Sequence, residues 1–124
     1  MTAQKKRVLL IDDSRLALKK LQAILSQLNC DVIEAEDGKS GLLLAEKIEP
    51  DLIVLDVQMP EMDGLETLKA LRKNPKFKDT PIVMLTVQSD AKTVAQALTG
   101  QIQDYILKDS DPQSIRERLR KYTS

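Results

Sequence analysis

The sequence predicts an α/β domain, a doubly wound five-stranded parallel sheet with helices on both faces. Two observations predict it. Five short apolar runs alternate strictly with five stretches of helical periodicity, and such alternation yields parallel strands joined by right-handed crossovers. Three of the runs, residues 8–11, 52–55 and 82–85, are apolar at consecutive positions, as strands covered on both faces are.

The remaining strands are expected at residues 32–35 and 105–107. The first helix is expected over 15–28, where Leu21, Ile24, Leu25 and Leu28 fall on one helical face and Ser14 can cap the free amides. The second runs over 39–48, before Pro50. The third starts at Gly64, carries a stripe of Leu65, Leu68 and Leu71, is capped by Asp63, and stops before Pro75. The fourth spans 91–98, with Ser89 or Asp90 as cap and Gly100 as stop. The fifth spans 112–122, with Asp111 as cap, Pro112 at its first position, and Ile115, Leu119 and Tyr122 facing inward.

The 124 residues fit one domain, 1–124, and 42% of them are hydrophobic, enough for a core without covalent staples. No internal repeat or interdomain linker interrupts the pattern, and no output domain is expected within these residues. Lysine plus arginine and aspartate plus glutamate each number 19. That balance gives no general attraction to nucleic acid or anionic membrane. The apolar runs are too short for a signal peptide or a membrane span. The basic residues Lys5, Lys6 and Arg7 read as a solvated lead-in. The single cysteine, Cys30, permits no internal disulfide, suits a reducing cytoplasm, and reads as a small buried hydrophobe. Histidine is absent. Histidine zinc sites, histidine general bases and Ser-His triads are therefore excluded, and the chain cannot itself carry a phosphohistidine. Any metal site must be built from oxygen, which suits Mg²⁺, Mn²⁺ or Ca²⁺.

Sites in open α/β sheets form beyond the carboxyl ends of the strands. The first strand is followed by Asp12 and Asp13, the third by Asp56, Val57 and Gln58, the fourth by Thr86, and the fifth by Lys108 and Asp109. Neighbouring first and third strands would bring three carboxylates together, and like charges so close raise one another's pKa unless a cation joins them. Such a trio can hold a hard divalent cation, with the backbone carbonyl of Gln58 as a further oxygen. A carboxylate at that position can act as a nucleophile toward phosphorus and form an acyl phosphate. Phosphoryl transfer needs mainly positioning and charge neutralisation. Lys108 would supply part of the latter, and Thr86 would donate to a phosphoryl oxygen.

With Asp12-Asp13, the segment from Asp56 through Gly64, Thr86 after the fourth strand and Lys108 after the fifth, the whole chain resembles the receiver domain of two-component response regulators, close in size to stand-alone chemotaxis-type regulators. The resemblance implies a flavodoxin-like fold with strand order 2-1-3-4-5. It implies that Asp56 takes a phosphoryl group from a phosphohistidine on a sensor histidine kinase or phosphotransfer protein. Asp13, Asp56 and the Gln58 carbonyl would bind Mg²⁺ directly, Asp12 would help through water, and Thr86 and Lys108 would contact the phosphoryl group. Tyr105 stands where the family carries an aromatic switch. Thr86 and Tyr105 would together remodel the surface of the fourth helix, fifth strand and fifth helix, where a downstream protein binds. The implied protein is a cytoplasmic signalling phosphoprotein, a monomer or weak dimer, with no nucleic-acid or membrane partner for this domain and no enzymatic role beyond its own phosphorylation and dephosphorylation.

The chain departs from the family at three places. Val87 stands where a small residue is usual and is expected to narrow access to the acceptor. Asp109 stands where a proline, commonly cis, is usual, so the loop is expected to differ and Asp109 to compete with Asp56 for Lys108. Residues 99–103 lack the usual small-residue pattern. The alternatives are a degenerate receiver that acts as a phosphorylation-independent interaction module and a small-molecule phosphohydrolase. The latter is opposed by Gln58, where such enzymes place a second aspartate. A flavin or dinucleotide domain is opposed by the lack of a glycine-rich loop after the first strand.

Overall fold

The computed structural model describes residues 5–124. Five strands, β1 (Lys6–Ile11), β2 (Cys30–Ala35), β3 (Leu52–Leu55), β4 (Ile82–Thr86) and β5 (Asp104–Leu107), alternate with helices α1 (Arg15–Leu25), α2 (Gly38–Ile48), α3 (Gly64–Lys73), α4 (Ala91–Leu98) and α5 (Pro112–Thr123). All strand pairs are parallel and the sheet order is β2-β1-β3-β4-β5. The reversal of order lies between β1 and β3.

Side chains alternate across β1. Val8 and Leu10 join a core with Leu21 and Leu25 of α1 and Ile115 and Leu119 of α5. Leu9 and Ile11 face the other way, into a core with Ala45 of α2, Leu68 and Leu71 of α3 and Ala97 of α4. Both faces of the sheet are therefore covered, which is why its central strands are apolar throughout.

The helix caps follow the acids and hydroxyls in the sequence. Ser14, Asp63 and Asp111 each accept a backbone amide three residues on, and Asp63 forms a reciprocal capping box with Glu66. Asp90, rather than Ser89, caps α4. Asp37 caps α2, which begins at Gly38.

Several boundaries differ from the sequence expectation. β1 and β2 each start two residues earlier, because Lys6 and Arg7 pair with Cys30 and Asp31 in a ladder that hydrophobicity does not mark. Lys6 and Arg7 are thus strand residues and not a free lead-in. Arg7 donates its amide to Asp51 at 2.8 Å and a guanidinium N–H to the Ile48 carbonyl. Lys5, the remaining residue of that lead-in, precedes the strand and is exposed. α1 ends at Leu25, three residues short of expectation, because the chain tightens: Leu28 donates to the carbonyl of Leu25, not to that of Ile24. Cys30 is half-buried, its thiol against the Leu25 carbonyl. The connection from α3 to β4 contains a 3₁₀ turn, Pro75–Phe77, with Phe77 buried. After α4 the left-handed residue is Gln101 (φ 57°), not Gly100. Gly100 packs closely instead: a Cβ there would lie 2.4 Å from Cδ2 of Leu68, which would have to shift.

Candidate functional site

The register Ile11↔Leu55 sets the next residues of β1 and β3, Asp12 and Asp56, side by side at the carboxyl edge of the sheet. The backbone enforces this: the Asp56 amide donates to the Ile11 carbonyl at 3.0 Å, and the Asp12 amide to the Ala35 carbonyl at 3.1 Å. Asp12 and Asp56 are buried and Asp13 is exposed. One carboxylate oxygen from each of the three lies within 4.8 Å of the others.

Lys108 reaches this cluster from the end of β5. Its amide donates to the Thr86 carbonyl at 2.8 Å, which fixes the start of its side chain. Its ammonium lies 2.7 Å from Oδ2 of Asp12 and 3.1 Å from Oδ2 of Asp56. Asp12 is completed by the Ser14 amide, which donates to its Oδ1 at 2.9 Å. Oδ1 of Asp56 is buried and has no hydrogen-bond partner.

The electrostatics follow from burial and charge count. Burial pushes the Asp12 carboxyl above its ordinary value, and the charge of Asp56 adds to that, while the bond from Lys108 opposes it. Burial alone would depress the Lys108 ammonium, but Asp12 and Asp56 together hold it above its usual value. One ammonium against three carboxylates leaves the site acidic. A buried carboxylate oxygen without a partner is costly unless something fills it. The oxygen-only donor set and that unfilled Oδ1 fit a hard divalent cation.

The loop after β3 forms one wall of the site. The amide of Gly64 donates to the Val57 carbonyl at 2.7 Å, and a Cβ on Gly64 would lie 1.9 Å from the carbonyl oxygen of Asp56. Only glycine lets the start of α3 press against Asp56. Met59 is buried beneath the loop, and Gln58 is exposed at the rim of an open cleft shared with Asp13, Ser14, Val87 and Lys108.

Thr86 ends β4 beside this cleft but does not line it. It is fully buried and its Oγ1 accepts the Gln88 amide at 3.3 Å. Val87 faces the cleft in its place and is 63% exposed. Tyr105 is half-buried, and its hydroxyl donates to the Gln88 carbonyl at 2.7 Å.

Asp109 does not compete for Lys108. It is exposed and forms no ion pair among the described residues, because the chain turns after Leu107, where Ser110 donates to the Leu107 carbonyl, and carries Asp109 outward. Asp12 is the second carboxylate on the ammonium. The described residues contain no cis peptide bond, so this loop passes Lys108 in the trans form. The sequence reading also missed Ser14 as a wall of the cleft and Gln88 as the shared partner of Thr86 and Tyr105. Ser14 was legible only as a helix cap.

The family model of the response regulator receiver domain matches residues 8–120. A probable transcriptional regulator, ycf27, of Porphyridium aerugineum is 38% identical over 117 residues, which are 94% of this chain and 48% of that protein. The chain spans about half the length of the first curated relatives it matches. Among solved structures, the Vibrio cholerae chemotaxis protein CheY4 superposes with a TM-score of 0.88 at 29% identity, covering 96% of this chain and 99% of that one. The Mn²⁺-bound form of the response regulator Rcp1 superposes with a TM-score of 0.80 at 25% identity, covering 94% and 90%.

Proposed function

Because this chain belongs to the response regulator receiver domain family, a family of two-component signalling domains not classed as enzymes, we propose that Asp56 is its phosphoacceptor. One observation carries this reading. Asp56 lines an open cleft, and its Oδ1 is buried and unpartnered while its Oδ2 is held by Lys108. A nucleophile needs a free lone pair in a fixed direction, and an incoming anion needs positive charge beside it.

In the transfer, an Asp56 oxygen bonds to phosphorus as the N–P bond of a phosphohistidine breaks, and the imidazole leaves with the electron pair. The donor belongs to a sensor histidine kinase or phosphotransfer protein, since this chain has no histidine. Lys108 shares the new phosphoryl charge. Asp13, Asp56 and the Gln58 carbonyl, with Asp12 behind them, would hold Mg²⁺, or Mn²⁺ or Ca²⁺ in its place, and the cation would neutralise charge on the transferring group. Thr86 would donate its hydroxyl proton to a phosphoryl oxygen once that oxygen arrives. Its movement would draw on Gln88 and Tyr105 and alter the α4–β5–α5 surface, where a downstream protein binds. Residues 1–124 act as one receiver unit, a monomer or weak dimer in the cytoplasm, with no nucleic-acid or membrane partner.

The test is incubation with acetyl phosphate, with and without Mg²⁺, followed by intact-mass measurement. The wild type gains one phosphoryl group only with Mg²⁺, and Asp56→Asn gains none. Equal labelling of both proteins would refute the assignment.

A further inference from the structure

Among the described residues Arg72 is the most heavily hydrogen-bonded side chain. Its Nε donates to the Gly100 carbonyl at 2.9 Å. One terminal nitrogen donates to the carbonyls of Phe77 at 2.6 Å and Thr80 at 2.9 Å, with Lys78 at 3.3 Å. The other donates to the Gln101 carbonyl at 2.9 Å and meets Oε1 of Gln103 at 3.5 Å. Among the described residues Arg72 forms no ion pair. A partly buried guanidinium is thus caged by neutral oxygens, and burial lowers its pKa. Five N–H donors in a planar fork suit this cage, and a lysine's three do not.

The caged segments are not arbitrary. Phe77, Lys78 and Thr80 lead into β4, which ends in Thr86. Gly100, Gln101 and Gln103 lead into β5, which carries Tyr105 and is followed by Lys108. Gln103 also joins the two strands directly, accepting the Ile82 amide on its side chain at 2.7 Å. One guanidinium therefore fixes the entry ends of both strands whose exit ends reach the acceptor.

α4 is attached unevenly. Its single buried residue, Ala97, lies at the carboxyl end, next to the Gly100 that Arg72 holds and that packs on Leu68. At its other end Val87, Ser89, Asp90, Ala91 and Lys92 are exposed, and Gln88 is held by Thr86 and Tyr105. Few buried contacts mean a low cost of local movement at that end.

We propose that Arg72 is a positioning residue that pins the α4–β5 connection, so that α4 swings about its carboxyl end when Asp56 is loaded. Arg72 confines the change to the Gln88 end of α4 and to Tyr105, and it holds β5 in register with β4 meanwhile. This rests on the phosphoacceptor reading of Asp56.

The experiment follows backbone amide NMR shifts on addition of beryllofluoride with Mg²⁺, with ¹⁹F signals reporting beryllofluoride bound at the site. In the wild type the amides of residues 88–93 and Tyr105 shift, and those of Gly100, Gln101 and Gln103 stay in place. In Arg72→Lys the shifts spread to Gly100, Gln101 and Gln103 while beryllofluoride still binds. Wild-type shifts at 100–103 as large as those at 88–93, with beryllofluoride bound, would overturn the pivot alone. So would an Arg72→Lys pattern identical to wild type, or loss of beryllofluoride binding in that variant. If Arg72→Lys does not fold, the wild-type pattern decides. A wild type that binds no beryllofluoride refutes the acceptor reading, and the pivot with it.

Discussion

The hydroxyl of Tyr105 donates to the carbonyl of Gln88 at 2.7 Å. The same Gln88 donates its amide to Oγ1 of Thr86. One residue of the β4–α4 loop thus joins the buried threonine at the end of β4 to the aromatic ring on β5. Movement of either side chain must break or carry a bond to Gln88.

Tyr105→Phe keeps the ring and removes that bond. The expected cost in stability is about 1 kcal/mol, read from urea unfolding. Phosphorylation of Asp56 by acetyl phosphate persists, while the change in amide shifts across α4 on phosphorylation is reduced. An undiminished change across α4 would show that the hydroxyl plays no part in coupling.

Lys108 is the only cation bonded to both buried carboxylates among the described residues. Lys108→Met leaves Asp12 and Asp56 facing each other, and breaking a buried pair in this way costs about 3 kcal/mol or more. Mg²⁺ then replaces the missing charge and stabilises by mass action. Thermal melts should show a larger Mg²⁺-induced rise in Tm for Lys108→Met than for wild type. Equal rises would mean that the lysine and the cation do not share this cluster.

Val87 stands over the cleft in the place a smaller side chain would leave open. Val87→Ala should speed both phosphorylation by acetyl phosphate and loss of the phosphoryl group. Lowering the barrier by about 0.5–1 kcal/mol gives a severalfold change. Rates unchanged from wild type in stopped kinetic assays would dismiss the obstruction.

Asp104 accepts two bonds from Arg118, at 2.8 and 2.6 Å. Hydrogen bonding to that guanidinium, outweighing burial, holds its carboxyl below the usual carboxylate range. A value lower in the folded than in the unfolded state stabilises above the unfolded pKa, near pH 4, and is lost as pH falls through the folded one. Arg118 is partly exposed, so the contribution is about 0.5–1 kcal/mol. The stability gap between wild type and Asp104→Asn should therefore be full at pH 7 and close well below pH 4. A gap independent of pH would contradict it.

The fold and most of the carboxylate–lysine cluster are legible because they depend on strand ends. A buried strand has a fixed exit, so whatever follows it lands at the sheet edge, and Asp12, Asp56, Thr86 and Lys108 all lie within one residue of such an exit. What the sequence hides depends on loop paths and side-chain directions. Asp109 is next to Lys108 in the chain, yet a turn carries it away and Asp12 takes the ammonium. Val87 and Thr86 are neighbours, but only the path of the loop decides which one faces the cleft. Arg72 reads as one more basic residue at a helix end, and its cage joins the loop just after its own helix to a second loop far along the chain.

The most direct measurement is chemical trapping of the modified residue. Acetyl phosphate and Mg²⁺ are added, and the acyl phosphate is reduced with borohydride, which converts a phosphorylated aspartate to homoserine. Peptide mass mapping then locates the change. A single conversion at Asp56, absent without Mg²⁺, is the result expected. Conversion at Asp12 or Asp13, or at none of the three while the protein still gains phosphate, would contradict Asp56 as the acceptor.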